Sequence, residues 1–489
     1  MRKPILFLSA AAMAVTPIAG SAQVRYLNQR DVAEAQRQHA ALVQEFGGAE
    51  TGPRAAYTEN VGRRVSAQTG VANGPNVFHF TLLNSAVENA FSVPGGYVYM
   101  TRQLMTLMDN EAELAFALGH EVGHVAANHA KARESAASRQ SVLGVLGAVL
   151  GSVFGGGVFG NVISQNAQRM AALSVLRFSR EQEYEADTLA LRYLIGAGYD
   201  PAGGPGILAA LARSTALEAR IQGRENRQLP EWASTHPLSE NRMQRARIEA
   251  QQSGRLGTGI RNRDIFLAQL QGVTVDDDPA QGVIDGRYFT HPDLRIQFAV
   301  PVGYLMQNGT RTVSIKGSGG EAEFSGGRYA GSMESYIAAV YRDLTEGKQR
   351  LNIPQPQRTT INGMPAAFTT TRAQTSSGVL DVSVFAYQWD RDTIYHFVMI
   401  TQAGQGIAPF APMVNSLRRI TPAEAAAIRP RVIDVVAVRP GDTVQSLAGR
   451  MAYRNFQVER FLSLNGLGAN QRLSPGQRVK IVVFGPRRS

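Results

Sequence analysis

Five consecutive residues, His120-Glu121-Val122-Gly123-His124, have the types and spacing for hydrolytic chemistry. They lie within Asn110 to Lys131, a stretch rich in Ala, Glu and Leu that opens with Asn110 and, three residues later, Glu113, the pattern of a capping box. On the helix this predicts, positions i and i+4 stand one above the other, so both imidazoles can share one metal ion. Glu121 lies one residue along, where its carboxylate can reach a water beside the metal rather than the metal. Zinc lowers the pKa of such a water, and an adjacent carboxylate can take the proton and later pass it to a leaving amine. The chain has no cysteine, so any metal must be held by His, Asp or Glu.

A catalytic zinc takes three protein donors and keeps a fourth position open. The third donor must come from elsewhere, and a second helix predicted over Ser179 to Gly196 offers Glu181, Glu183, Glu185 and Asp187. Ser179 fits its N-cap, and Tyr184, Leu191 and Leu194 fit a buried face. Glu183 and Asp187 are themselves i and i+4, so one could ligate while the other braces a ligating histidine. Spacing alone does not choose among the four acids. His129, nine residues from His120 and half a turn off its face, and His79, in an alternating strand, are not assigned to the metal.

These elements must sit in a chain of 489 residues, 44% hydrophobic, for which length suggests about three domains. Met1-Arg2-Lys3, an apolar run to about Ala19 and Gly20-Ser21-Ala22 have the order of a secretory signal, giving an expected leader at 1–22 and export to the periplasm. Removing Arg2 and Lys3 with it takes the formal charge from +11 to +9. A basic mature protein suits an anionic neighbourhood such as cell wall or lipid headgroups. No basic run is interleaved with aromatics, so nucleic acid is not an expected partner.

The metal motif falls in a mainly helical segment, 23–254, interrupted by strands at Val77 to Leu83 and Tyr97 to Met100. Residues 255–286, with Asp276-Asp277-Asp278-Pro279, read as a polar linker. From 287 to 420, β-like runs at Arg295 to Val300, Leu380 to Trp389 and Thr393 to Ile400, with a helix near Met333 to Leu344, predict a small α+β domain of unknown role. A last segment, 432–484, has a strand, helix, helix, strand rhythm. The apolar, glycine-punctuated stretch 141–160 is long enough for a bilayer, but a single span would part His124 from Glu183. It is read instead as a lid or an interfacial segment making peripheral membrane contact.

Several separate blocks resemble the HtpX and CAAX prenyl protease family of gluzincin metallopeptidases, and in particular its soluble periplasmic members. Asn89-Ala90-Phe91-Ser92-Val93-Pro94-Gly95-Gly96-Tyr97-Val98-Tyr99 is similar to the strand segment ahead of that family's metal helix, and His120 to His124 matches its zinc motif. Ser179 to Asp187 is similar to its Glu-x-x-x-Asp element, which implies Glu183 as third zinc ligand and Asp187 as its brace. His236-Pro237-Leu238 with Arg242 resembles its His-Pro loop, implying that His236 gates the open zinc position or stabilises the oxyanion. Asn89 and Arg242 are the expected substrate contacts, with the strand near Asn89 pairing to an extended peptide. The last segment resembles a LysM module through Arg439-Pro440-Gly441-Asp442-Thr443, Leu447-Ala448, Phe461 to Leu467 and Leu473 to Val479, which implies binding to peptidoglycan.

The expected fold is therefore multidomain: a mainly α zincin-type peptidase domain, a small α+β domain and a βααβ LysM-like domain. The expected function is a periplasmic endopeptidase using one zinc per chain and acting on misfolded or misassembled envelope proteins. A zinc amidase or peptidase of peptidoglycan, and a chaperone-like binding protein with a gated zinc site, are the alternatives.

Overall fold

The structure is a computed structural model that describes residues 25–132, 178–223, 236, 240–344, 352–375 and 378–486. The leader at 1–22, the glycine-rich stretch 141–160, Pro237 and Leu238 lie outside the described residues. Helices α1 (Gln29–Glu45), α2 (Pro53–Ser66) and α3 (Gly74–Val77) precede a three-stranded sheet of β1 (His79–Leu83), β2 (Ala90–Val93) and β3 (Tyr97–Thr101). The order is β1-β3-β2, with β1 parallel and β2 antiparallel to β3, so β2 is an edge strand. Its turn needs glycine. Gly95 and Gly96 have φ of 99° and 90°, and a Cβ on either would meet the Asp31 or Val77 carbonyl oxygen at 2.6 or 2.5 Å.

The chain continues through α4 (Arg102–Leu107), α5 (Glu111–Ala126), α6 (His129–Ala132), α7 (Arg180–Gly196), α8 (Gly203–Ile221), α9 (Glu240–Gln252) and α10 (Arg263–Leu270). Helix α5 carries the metal motif and is buried on almost every side. It approaches α7 along a seam of small residues. A Cβ on Gly123 would lie 3.3 Å from the Ala186 oxygen, and one on Gly119 would lie 3.5 Å from the Ala190 Cα. That close approach sets Glu183 and Asp187 beside the histidines.

Residues 255–286 are not the expected linker. Helix α10 buries Phe266, Leu267 and Leu270 in the same core as α5, because these apolar residues share one face. The fully buried guanidinium of Arg102 donates to Asn84 Oδ1 and to the carbonyls of Thr274 and Asp276 at 2.7–2.8 Å. The polar residues here anchor and cap.

Then follow β4 (Thr274–Val275), β5 (Val283–Asp285), β6 (Tyr288–His291), β7 (Ile296–Ala299), β8 (Leu305–Asn308), β9 (Val313–Gly317), β10 (Gly320–Arg328), α11 (Met333–Leu344), β11 (Gln357–Ile361), β12 (Met364–Thr375), β13 (Gly378–Asp390), β14 (Thr393–Gln402), α12 (Ala411–Ser416), β15 (Arg418–Arg419) and α13 (Pro422–Ala427). An antiparallel seven-stranded sheet runs β11-β12-β13-β14-β10-β9-β8. Alternation along β13 turns Val382, Val384 and Ala386 towards α11, while Phe385 and Tyr387 face a second, aromatic core with Phe298, Phe324 and Phe397. A smaller sheet, β15-β7-β6-β5, supplies Phe289 and Phe298 to that aromatic core.

The C-terminal module has the expected rhythm: β16 (Arg431–Ala437), α14 (Val444–Ala448), α15 (Gln457–Leu464) and β17 (Arg478–Phe484). Strand β4 joins its sheet beside β16, and Ile433, Leu447, Phe461 and Ile481 belong to the core that surrounds α5. Among the described residues, no helix is long and apolar enough to cross a membrane.

Candidate active site

Caps fix where the two donor helices begin. Asn110 Oδ1 accepts the Glu113 amide, while the Glu113 carboxylate returns to the Asp109 amide at 2.8 Å and to Asn110 Nδ2 at 2.8 Å. The expected capping box is thus closed one residue further back. On α7, Ser179 and Gln182 form a reciprocal box.

From these starts, His120 and His124 bring their Nε2 atoms to 3.0 Å. Glu183 offers one oxygen to each, at 3.5 Å, and His236 Nδ1 lies 2.9 Å from Glu183 Oε1 and 3.3 Å from His120 Nε2. All four residues are buried, and their donor atoms lie within 4.8 Å of one another, close enough to hold a metal ion. Donors at the corners of a tetrahedron around zinc stand about 3.3 Å apart, given bonds of roughly 2.0–2.1 Å to nitrogen. The observed spacings straddle that value. Nitrogen and carboxylate donors without thiolate suit zinc, and the residues therefore fit the ion.

Electrostatics point the same way. Burial works against a charge on His120, yet hydrogen bonding to Asp187 and Glu183 outweighs it and raises its pKa to about 10. The same carboxylates favour any cation at this point, proton or metal. His124 is held well below its ordinary pKa, first by burial and then by the charge on His120, so its ring stays neutral and its lone pair is available.

The structure distinguishes the four acids on α7. Glu181 is exposed and the Glu185 side chain is 61% exposed, whereas Glu183 and Asp187 are buried against the histidines. Asp187 Oδ1 is 3.0 Å from His120 Nδ1, and Arg242 donates through Nε and Nη2 to its two oxygens at 2.8 Å each. Arg242 Nη1 also lies 2.8 Å from Glu183 Oε2. Burial would raise Asp187, but Arg242 and His120 outweigh it and hold the carboxyl below its usual range. Arg242 is itself buried and tied to both acids, which gives it the geometry of a brace. Asn89 is buried at the entry to β2, where its backbone exchanges hydrogen bonds with Thr101. Tyr184 is only half-buried, with the Arg245 guanidinium over its ring.

Glu121 stands beside the four donors. The Ser92 hydroxyl, on edge strand β2, lies 3.1 Å from Glu121 Oε2 and 3.1 Å from the Glu121 carbonyl. His236 Nε2 is 3.5 Å from Glu121 Oε1. A pocket of about 50 Å³ lined by His120, Glu121, His236, Arg242 and apolar neighbours has room for water. A larger cavity, about 1360 Å³, opens past the end of β2 and is lined by Ser92, Val93, His124, Phe178 and Tyr193.

Sequence reasoning missed two residues of this site. Ser92 gave no signal, because a serine in a strand is common. His129 was set aside by counting along one continuous helix, but α5 stops at Ala126 and Asn128 adopts φ of 58°. That turn brings His129 Nδ1 to 2.9 Å from His124 Nδ1, with His129 Nε2 3.3 Å from Glu185.

Residues 53–250 match the model of Peptidase family M48. The chain carries an M48 peptidase domain. A LysM domain matches residues 436–482, at its C-terminus. The M48 domain is similar to the beta-barrel assembly-enhancing protease of Yersinia pestis, 32% identical over 205 residues that cover 40% of this chain and 39% of that protein. Metalloprotease LoiP of Escherichia coli is 32% identical over 32% of this chain and 57% of its own length. The mitochondrial metalloendopeptidase OMA1 of Arabidopsis thaliana is 30% identical over 33% of this chain and 29% of its own. The chain thus spans about two fifths of the length of the assembly-enhancing protease it matches.

Proposed function

We propose that this chain is a zinc-dependent endopeptidase of the cell envelope that removes misfolded or misassembled proteins. The carrying observation is the buried cluster of His120, His124 and Glu183 with Glu121 alongside, from which His124 lines a large cavity bordered by an edge strand. His120, His124 and Glu183 would hold one zinc, which supplies Lewis acidity to a water and to the scissile carbonyl.

The chain's own residues do the rest. Glu121 takes the proton of the attacking water and delivers it to the leaving amine. Ser92 orients that carboxylate. Asp187, 3.0 Å from His120 Nδ1, braces that edge of the ring so that Nε2 faces the donor cluster, while Arg242 holds Asp187 and Glu183 in place. Strand β2 can pair with an extended peptide, which gives broad sequence tolerance of the kind misfolded clients require. Asn89 would help fix that strand. His236 fills a fourth donor position here, so it gates the site and must move before it can act on an oxyanion. Export to the periplasm and attachment to peptidoglycan through the C-terminal module complete the reading.

Casein cleavage by the protein lacking residues 1–22, abolished by chelator and restored by zinc, is the expected result. No cleavage of casein, together with release of soluble fragments from purified peptidoglycan, would replace this reading with a wall hydrolase, which the LysM match favours as the second possibility.

Two smaller effects belong here. Ser92→Ala should lower kcat about tenfold with little change in KM, because a hydrogen bond to a charged group contributes about 1.5–3 kcal/mol. Steady-state kinetics on a quenched peptide would read this, and an unchanged kcat would remove Ser92 from the site. His124 presents Nε2 to the cluster, so its proton sits on Nδ1 and His129 accepts it. Replacing His129 with Leu should weaken zinc binding about tenfold by chelator competition, as loss of a brace does. Equal affinity would show that His124 needs no such acceptor.

A further inference from the structure

Lys480 lies in the middle of β17 and is fully buried. An ammonium so placed costs heavily unless all its protons are used and its charge is paired. Both conditions are met outside the C-terminal module. Lys480 Nζ donates to the carbonyls of Thr106 at 3.0 Å and Met108 at 2.7 Å, and it lies 3.1 Å from Asp109 Oδ1. Thr106 and Met108 end α4, where carbonyls beyond the helical ladder favour a cation. Asp109 directly precedes Asn110, the N-cap of α5.

The lysine is itself fixed. Its backbone amide donates to Asn465 Oδ1 at 2.7 Å, and Asn465 Nδ2 returns to the Lys480 carbonyl at 2.8 Å. Other ties fall around it. Arg213 on α8 reaches the Ser463 carbonyl, Arg263 on α10 donates to the Arg478 carbonyl at 2.9 Å, and β4 pairs with β16. A module that served only as a tether would need no more than a loose linker to its partner. This module instead shares a core with the helix that carries the metal motif.

We propose that the C-terminal module is a working part of the peptidase as well as its attachment to the wall, and that Lys480 is a positioning residue that sets where the metal-bearing helix begins. The inference rests on α5 being that helix. With Lys480 in place, one cation satisfies the end of α4 and the residue before the α5 cap together. Without it, Asp109 and two carbonyls are left facing an apolar strand, and the junction between the helices must shift. Helix α5 is packed too tightly to bend, so a shift at Asn110 carries His120 and His124 along the seam against α7.

The test uses the full chain without residues 1–22 and three variants: Lys480→Met, Asp109→Asn and the two combined. Zinc affinity by chelator competition, and kcat and KM, are measured well below each melting temperature. Lys480→Met should weaken zinc about tenfold and lower kcat by a similar factor with KM little changed, and the double variant should recover part of both. Lower melting temperatures with zinc affinity and kcat at wild-type values would overturn the proposal, leaving Lys480 a stabilising contact alone. Should Lys480→Met fail to fold, Asp109→Asn, which keeps the ammonium, reads the same constants with the same decision. Amide exchange across Glu111–Ala126 in the metal-free protein separates this idea from the zinc reading. Faster exchange in the first turn of α5 supports the coupling whether or not the wild type binds zinc, and unchanged exchange in every variant would refute it.

Discussion

The Glu121→Gln protein should keep its metal and lose about 10² to 10⁴ in kcat, the usual contribution of a positioned proton acceptor. Glutamine has nearly the same shape and can still accept from Ser92, whose hydroxyl lies 3.1 Å from the carboxylate oxygen. The four donors are untouched, because Glu121 is not among them. Only the capacity to take a proton disappears. Elemental analysis of zinc beside kcat on casein reads both halves of the statement. Zinc lost along with activity would make Glu121 a ligand, whereas zinc kept with full activity would mean that the water needs no base from the protein.

The chemistry of the site was legible because it is local. His120, Glu121 and His124 lie within one helical turn and a half, and Glu183 and Asp187 within another, so periodicity alone places each pair on one face. What joins the two helices was not legible. The seam of Gly119 and Gly123 against Ala186 and Ala190 consists of small residues that carry no periodic signal, yet it decides which of four acids meets the histidines. His129 escaped because one residue, Asn128, leaves the helical region and swings the chain back. Arg242 entered only through a resemblance to the His-Pro loop, and no local pattern announced that two buried carboxylates hold it. Residues 255–286 looked like a linker because their polar residues outnumber their apolar ones. The three apolar residues on one face of α10 were enough to fold it into the core. The strand and helix rhythm of the C-terminal module was plain in the sequence. Its docking buries a lysine, Lys480, and nothing local announces that burial.

Arg242→Met should produce the largest loss of stability, about 3–5 kcal/mol, because it leaves buried carboxylates without their cation. The size of that loss should depend on metal and on pH in directions the geometry fixes. Arg242 neutralises Asp187 and reaches Glu183, while a zinc at the donor cluster would neutralise the same two acids from the other side. The two cations are therefore partly interchangeable for stability. Adding chelator should lower the melting temperature of the variant by more than it lowers that of the wild type. The pH dependence follows from Asp187, whose carboxyl is held below its ordinary range in the wild type because Arg242 and His120 outweigh burial. Such a group contributes stability that is fully present above the unfolded pKa, about 3.9, and is lost as pH falls through the folded value. In the variant, burial goes unopposed by Arg242 and the carboxyl rises, so its ionisation becomes a cost that grows as pH increases above about 4. The stability gap between the two proteins should accordingly be smallest below the depressed wild-type value, be already open near pH 4, widen further towards neutrality and then level off. Urea unfolding at several pH values, with and without chelator, measures it. A gap that neither pH nor chelator changes would mean that Arg242 acts through the packing of its carbon stem, and that Asp187 and Glu183 find their compensation elsewhere.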